Sequence, residues 1–197
     1  MATYKSEELE KEAIRTAAAI MAASARTAPK AGGIDHIKTA IVDGEDILHI
    51  AEAMKEKSAE HLPPMKQAFA REAEILKKMG AILLIGMTGW PKIEIDCGAC
   101  GYKTCRELAE ARTRQGRDFS GPNCLHTTLD LGVALSSAVK VASILNIDTR
   151  IQYTVGAAAK KLGLLDADMI IGIPMSVTGK NPLFDAMEVG MYQKAEM

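Results

Sequence analysis

The stretch AILLIGM at residues 81–87 is a continuous apolar run between Gly80 and Gly89. A run of this length without polar alternation is typical of a strand that is covered on both faces. A cysteine-rich stretch, DCGACGYKTC at residues 96–105, follows soon after it. The sequence therefore predicts a buried strand that leads into a segment of different chemistry.

The rest of the chain alternates between helical and strand patterns. Apolar residues at helical spacing predict helices at 7–27, from 47 to before 63, at 65–79, at 128–146 and at 156–164. Short apolar or β-branched runs predict further strands at 37–42, 150–155 and 168–177. Because helices surround a few short apolar strands, we expect a layered α/β or α+β domain.

Length and charge limit the classes of protein that the sequence can specify. A chain of 197 residues suits a single domain, 1–197, that buries roughly 70% of its unfolded surface. The formal net charge of −1 provides no overall field to attract nucleic acid or a membrane surface. The N-terminal residues include several acids and no uninterrupted apolar core, so we expect a cytoplasmic protein without a secretory signal.

One weakly charged run, residues 131–147, approaches the composition of a membrane span. It contains Lys140, Asn146 and three serines. It is also slightly shorter than the about 20 apolar residues that a spanning helix needs. We interpret it as a buried helix and predict no membrane span.

The four cysteines of the chain all lie within one short window. They are Cys97, Cys100, Cys105 and Cys124. A reducing cytosol disfavours stable disulfides, so metal ligation or redox chemistry is the better interpretation. A CxxC pair can bend around one metal centre, and the third thiol can reach it from the first turn of a helix that begins near Thr104. Gly98 and Gly101 give that loop the necessary backbone freedom.

The spacing of the thiols bears on which metal they bind. Structural zinc sites usually pair two short knuckles, whereas the second half of this pattern supplies only Cys124. A 4Fe-4S cluster takes one thiolate at each iron and accepts three ligands from one loop and a remote fourth. The pattern favours a 4Fe-4S cluster. Zinc is the main alternative, and thiol chemistry without a metal is the other.

The sequence CGACGYKTCRELAEA followed by GPNC resembles the small 4Fe-4S domain of corrinoid iron-sulfur proteins and of electron-transport complex subunits. In those domains a CGxCGxxxC loop leads into a helix and a later cysteine completes the ligand set. The resemblance implies that Cys97, Cys100, Cys105 and Cys124 are the metal ligands. It also implies that residues 91–126 are an inserted cluster-binding segment. The whole chain further resembles an uncharacterised family described as ferredoxin-domain proteins, which implies redox work.

Two other stretches resemble nitroreductase-like flavoproteins. ARTAPKAGGIDHIKTAIV at 25–42 is similar to their helix, proline turn and strand, and LGLLDADMIIGIPMSV at 162–177 to their closing helix and strand. The resemblance implies an α+β fold in which helices pack around a small central sheet. It also implies an intertwined homodimer with FMN at the subunit interface.

Two loops could contact an anion or a flavin phosphate. Lys30, Gly32 and Gly33 lie in the PKAGG turn, and Lys180 lies in VTGKNP at 177–182. The second loop does not have the glycine spacing of a P-loop. An ordinary turn and an ordinary loop are the alternative interpretations, since Gly, Asn and Pro are common in both.

The sequence supports redox chemistry better than any other function. His126, two residues beyond Cys124, is placed to hydrogen-bond a cluster, with a surface or capping role as the alternative. We predict electron transfer through one 4Fe-4S cluster to a redox partner protein or a small-molecule acceptor. The alternatives are an FMN-dependent oxidoreductase that the cluster feeds, and a zinc-stabilised interaction domain.

Overall fold

The computed structural model describes residues 3–91, 94–111 and 114–184. Its α-helices are α1 (Ser6–Thr27), α2 (Asp46–Ala59), α3 (Met65–Leu76), α4 (Cys105–Ala111), α5 (Leu125–Ile144) and α6 (Tyr153–Lys161). Its strands are β1 (Ile37–Asp43), β2 (Ala81–Met87), β3 (Arg114–Gln115), β4 (Ser120–Gly121), β5 (Asp148–Thr149) and β6 (Met169–Ser176). Short 3-10 helices occupy Ala31–Gly33 and Pro182–Phe184.

A four-stranded antiparallel sheet with the order β1-β2-β6-β5 forms the centre of the molecule. β2 pairs along its whole length with both β1 and β6. All seven residues of β2 are buried, which confirms the prediction of a covered strand from AILLIGM. The register places the start of β1, the end of β2 and the start of β6 at the same end of the sheet.

Two apolar cores lie on opposite faces of this sheet. Helices α2, α3 and α6 contribute to one core, and α1 and α5 contribute to the other. Along β2, Ile82 and Leu84 belong to the first core. Leu83 and Ile85 belong to the second, as the two-residue alternation of a strand requires. The predicted α+β arrangement of helices around a small central sheet is confirmed.

Most of the predicted elements exist with small changes at their ends. β1 extends one residue beyond the predicted 37–42, and β6 lies within the predicted 168–177. Helix α5 begins at Leu125 rather than at residue 128. This earlier start makes Cys124 the residue that caps the helix, so a predicted metal ligand is fixed by secondary structure.

The predicted strand at 150–155 is wrong. β5 occupies only Asp148–Thr149, a single bridge joins Gln152 to Gly172, and α6 begins at Tyr153. Tertiary packing overrides the strand propensity of these residues. A Cβ at Gly156 would lie 1.9 Å from the carbonyl oxygen of Ile170, so α6 is pressed directly onto β6.

Helix α5 is, among the described residues, the one that is long and apolar enough to cross a membrane by length and composition alone. Core helices of soluble proteins pass the same test. Here α5 packs against α1 and the sheet, but only 39% of its most apolar window is buried. One face of α5 therefore remains exposed.

The predicted insertion at 91–126 follows β2 and includes the first two residues of α5. Its described part contains α4 and a two-stranded hairpin of β3 and β4. Residues 92–93 and 112–113 of this segment, and residues 185–197 of the predicted single domain, lie outside the described residues.

Candidate metal centre

All four cysteines line one small cavity at the sheet end where β2 finishes. They are free thiols: Cys97 is exposed, Cys100 is partly buried, and Cys105 and Cys124 are buried. The structure thus brings together the four ligands that the spacing and the resemblance predict.

The loop before α4 adopts backbone conformations that ordinary residues avoid. Gly98 and Gly101 have φ values of 69° and 89°, and Asp96 has a φ of 47°. The Asp96 carboxylate accepts a hydrogen bond from the Cys105 amide at 2.7 Å, which ties the start of the loop to the start of the helix. These turns bring Cys97 and Cys100 back over Cys105.

Cys124 is fixed by the chain on both sides of it. Its amide donates to the carbonyl of Gly89 at 3.0 Å. Its carbonyl accepts from the hydroxyls of Thr127 and Thr128, at 2.9 and 3.0 Å. Cys124 is the N-terminal cap residue of α5, so the start of that helix fixes its backbone.

Asp168 joins the cysteine segment to the sheet. Its Oδ2 accepts from the Gly89 amide at 2.7 Å, and its carbonyl accepts from the Ser120 amide at 3.1 Å. A Cβ at Gly89 would lie 1.6 Å from Oδ1 of Asn123, so no larger residue fits there without movement. Sequence reasoning missed Asp168, because its partners are distant along the chain.

A second buried group anchors the hairpin between β3 and β4. The Asp118 carboxylate accepts from Lys57 Nζ at 2.8 Å and from the Tyr153 hydroxyl at 2.7 Å, and it lies 3.1 Å from His61 Nε2. Lys57 Nζ also donates to the carbonyl of Arg117 at 3.0 Å. The hairpin tip is therefore bound to α2 and α6.

This network shifts the pKa of the Asp118 carboxyl. Burial alone would raise that pKa, but the hydrogen bonds from Lys57, Tyr153 and His61 outweigh burial and hold it below its usual range. Burial and the bond to Asp118 both raise the pKa of Tyr153. The carboxylate form of Asp118 is therefore the form that the folded protein stabilises.

Asp118→Asn is expected to lower stability at neutral pH by about 2 kcal/mol, because a buried hydrogen-bond network loses its negative charge and one of its two acceptor oxygens. The contribution of Asp118 is complete above its unfolded pKa of about 3.9 and is lost as the pH falls through the lower folded value. The gap between wild type and variant in urea unfolding should therefore narrow below about pH 4.

The exposed Asp46, 3.3 Å from His49, provides a matched control. Asp46→Asn should change stability by less than about 0.5 kcal/mol at any pH. Wild type, Asp118→Asn and Asp46→Asn share the same metal centre. Any loss of stability that acid causes at this centre therefore cancels when the three are compared. A wild-type to Asp118→Asn gap that stayed constant down to pH 3 would contradict the expected linkage.

The donor set, four thiols that line one cavity, fits an iron-sulfur cluster. Within residues 3–91, 94–111 and 114–184, no group of three or more His, Cys, Asp or Glu side chains is arranged to hold one ion. A zinc ion draws its ligands to about 2.0–2.3 Å. A cubane cluster instead spreads four thiolates over four irons. The four thiols around one shared cavity could supply this ligand set.

The four histidines occupy separate environments. Each has a different acidic or sulfur partner, and the pairs lie in different parts of the fold. The pairs are His36 with Asp130, His49 with Asp46, His61 with Asp118 and His126 with Cys97.

The predicted anion contacts in the PKAGG turn have structural roles in the described chain. Lys30 Nζ donates to the carbonyls of Arg26 at 2.5 Å and of Ala28 at 2.9 Å, which caps the end of α1. Gly32 and Gly33 have φ values of 62° and 67°, as the tight turn requires. Two of the hydrogen bonds that the Lys30 ammonium can donate thus go to backbone carbonyls.

Lys180 lies at the other end of the sheet. Lys30 precedes β1, and the start of β1 lies at the same end of the sheet as the start of β6. Lys180 follows the end of β6, which lies at the opposite end. A single chain therefore does not bring these two lysines together around one phosphate.

Two family profiles match the chain. One, described as an uncharacterized protein containing a ferredoxin domain, matches residues 120–186. Another, whose description names an Fe-S cluster, matches residues 94–120. An uncharacterized protein of Archaeoglobus fulgidus is 48% identical over 178 residues, which cover 90% of this chain and 94% of that protein.

Solved structures of nitroreductases share the fold. A nitroreductase with bound FMN from Desulfitobacterium hafniense superposes with a TM-score of 0.55 at 11% identity, covering 99% of this chain and 89% of that one. A nitroreductase with bound FMN from Bacteroides fragilis gives 0.54 at 10% identity, covering 90% and 80%. At such low sequence identities the superposition shows the fold alone. The shared fold confirms the predicted nitroreductase-like body.

The cavity lined by four cysteines, the two profiles and the extent of the match to the Archaeoglobus fulgidus protein point to the same family. The chain belongs to the family described as uncharacterized proteins containing a ferredoxin domain, with an iron-sulfur segment carried on a nitroreductase-like body.

Proposed function

We propose that this iron-sulfur protein carries one 4Fe-4S cluster and transfers single electrons to a partner. The observation that carries the proposal is the convergence of every cysteine of the chain on one cavity. Cys97, Cys100 and Cys105 would come from one loop and Cys124 from the cap of α5. When bound, the cluster supplies a one-electron couple.

The four cysteines differ in exposure, and this difference supports electron exchange on the side of the cavity where Cys97 lies. Cys105 and Cys124 lie against the body, whereas Cys97 reaches the surface. Ile95 and Leu125 line the same cavity and are 54% and 40% exposed. A redox partner or a small-molecule acceptor would approach at this apolar rim, where its distance to the thiolates is shortest.

A second function, FMN-dependent reduction of a small molecule, is favoured by the FMN-bound nitroreductases with the same fold. In that case the cluster would feed electrons to a flavin. The separation of Lys30 from Lys180 means that the flavin phosphate would need other residues or a second chain.

Anaerobic purification with analysis of iron, acid-labile sulfide, zinc and flavin tests these functions. We expect about four irons and four sulfides per chain, and an electron paramagnetic resonance signal after reduction with dithionite. Releasable flavin beside the iron would select the oxidoreductase. Zinc without sulfide would overturn the redox proposal in favour of a zinc-stabilised interaction domain.

We also propose that the protein is a cytoplasmic homodimer that binds neither nucleic acid nor membrane. The support for self-association is the exposed face of α5, where Leu129 is 56% exposed and borders a shallow groove with Gly132, Val133 and Ser136. Small residues in that groove would let a second copy approach closely. Sedimentation velocity should give about twice the 21.1 kDa chain mass, and a monomer would overturn the proposal.

A further inference from the structure

We propose that His126 is a positioning residue of the metal centre, which donates a hydrogen bond from Nε2 to the Cys97 sulfur and thereby raises the reduction potential of the cluster. This inference rests on the proposed function. It assigns a role to a side chain that is not itself one of the four thiol ligands.

The geometry of the contact supports this role. His126 Nε2 lies 3.7 Å from Cys97 Sγ, within the range of a hydrogen bond to sulfur. Both residues line the cavity that the four cysteines share. His126 is the second residue of α5, directly behind its cap Cys124, so the helix that holds one ligand also positions the imidazole against another.

The orientation of α5 adds to the same effect. The first turn of this 20-residue helix contains no acidic residue, and its cap forms no side-chain hydrogen bond to the turn. The positive end of the helix dipole therefore faces the cysteine cavity without local compensation. Both the imidazole N–H and the helix end favour negative charge on the sulfur ligands.

Reduction makes this contact stronger. An added electron increases the negative charge on the cluster and its thiolates, and an N–H donor then stabilises the reduced state more than the oxidised state. Hydrogen bonds to the sulfurs are one of the known determinants of iron-sulfur potentials. Without the donor, we expect the equilibrium constant for one-electron reduction of the cluster to fall about tenfold. This corresponds to a reduction potential about 59 mV more negative.

The test compares anaerobically reconstituted wild type with His126→Ala, His126→Leu and His126→Gln. Iron and sulfide are counted, and the potential is measured by dithionite titration with mediator dyes and electron paramagnetic resonance. The cluster of His126→Ala and of His126→Leu should be reduced at a more negative potential than that of wild type. If one of these two variants fails to fold, the other still tests the inference. Gln retains an N–H and should move the potential back toward wild type.

His49→Ala is the matched control, since His49 lies on α2 and pairs with Asp46. It should leave the potential unchanged. Loaded His126 variants that titrate with wild-type potential would overturn this inference and leave the cluster assignment intact. A wild-type protein without iron and sulfide would instead overturn the proposed function, so the two failures are distinguishable.

Discussion

Cys124→Ala is expected to lose the intact four-iron cluster, with three or fewer irons per chain after anaerobic reconstitution. Cys124 is the ligand outside the CxxCxxxxC loop, and it is buried and fixed by Gly89, Thr127 and Thr128. No other thiol can replace it, because the chain contains only four cysteines. Iron and sulfide analysis, with electron paramagnetic resonance of the reduced protein, measures the loss.

Ser136→Ala is a suitable control for that substitution. Ser136 lies on the exposed face of the same helix, where its hydroxyl donates to the Gly132 carbonyl at 2.8 Å. It should bind iron as wild type does. An unchanged iron count in Cys124→Ala would exclude Cys124 as a ligand and would point to a cluster held by three cysteines.

Gly156→Ala is expected to destabilise the protein by about 3 kcal/mol, at the upper end of overpacking effects. The new Cβ would lie 1.9 Å from the Ile170 carbonyl oxygen and 2.7 Å from the Ile171 Cα. Backbone atoms cannot rotate away as a side chain can, so α6 would have to move off β6. Urea or thermal unfolding measures the change.

Gly179→Ala provides the comparison for this effect. A Cβ at Gly179 would meet no atom within 4 Å, and its backbone lies outside the left-handed region. This variant should unfold within about 0.5 kcal/mol of wild type, as surface substitutions usually do. Equal stabilities of the two glycine variants would show that α6 does not press onto β6 as described.

The elements that the sequence predicted correctly are those set by local pattern. An unbroken apolar run such as residues 81–87 can only be stable when it is buried, so its strand was predictable. The approach of three cysteines to one another was predictable because they and two glycines lie within nine residues of the sequence. The cysteine count, and then the family resemblance, linked Cys124 to that loop.

The elements that the sequence did not predict depend on contacts between distant residues. Residues 150–155 have strand propensity, but the close approach of Gly156 to β6 favours a helix from Tyr153. Asp168 and Asp118 are ordinary acidic residues in the sequence. Their roles depend on Gly89 and Lys57, which lie 79 and 61 residues earlier in the chain.

The anion contacts proposed from the two loops illustrate the same limit. A lysine beside glycines is equally compatible with phosphate binding and with capping a helix. Lys30 donates to the carbonyls at the end of α1 in the folded chain. Only the strand register shows that Lys180 lies at the far end of the sheet.

The hydrogen bond between the Cys124 amide and the Gly89 carbonyl holds the two ends of the cysteine segment together. The backbone leaves the body and returns to it at nearly the same point, so residues 90–123 form a detour that the strand order does not require. Excision of such a detour leaves two neighbouring ends that a short link can rejoin.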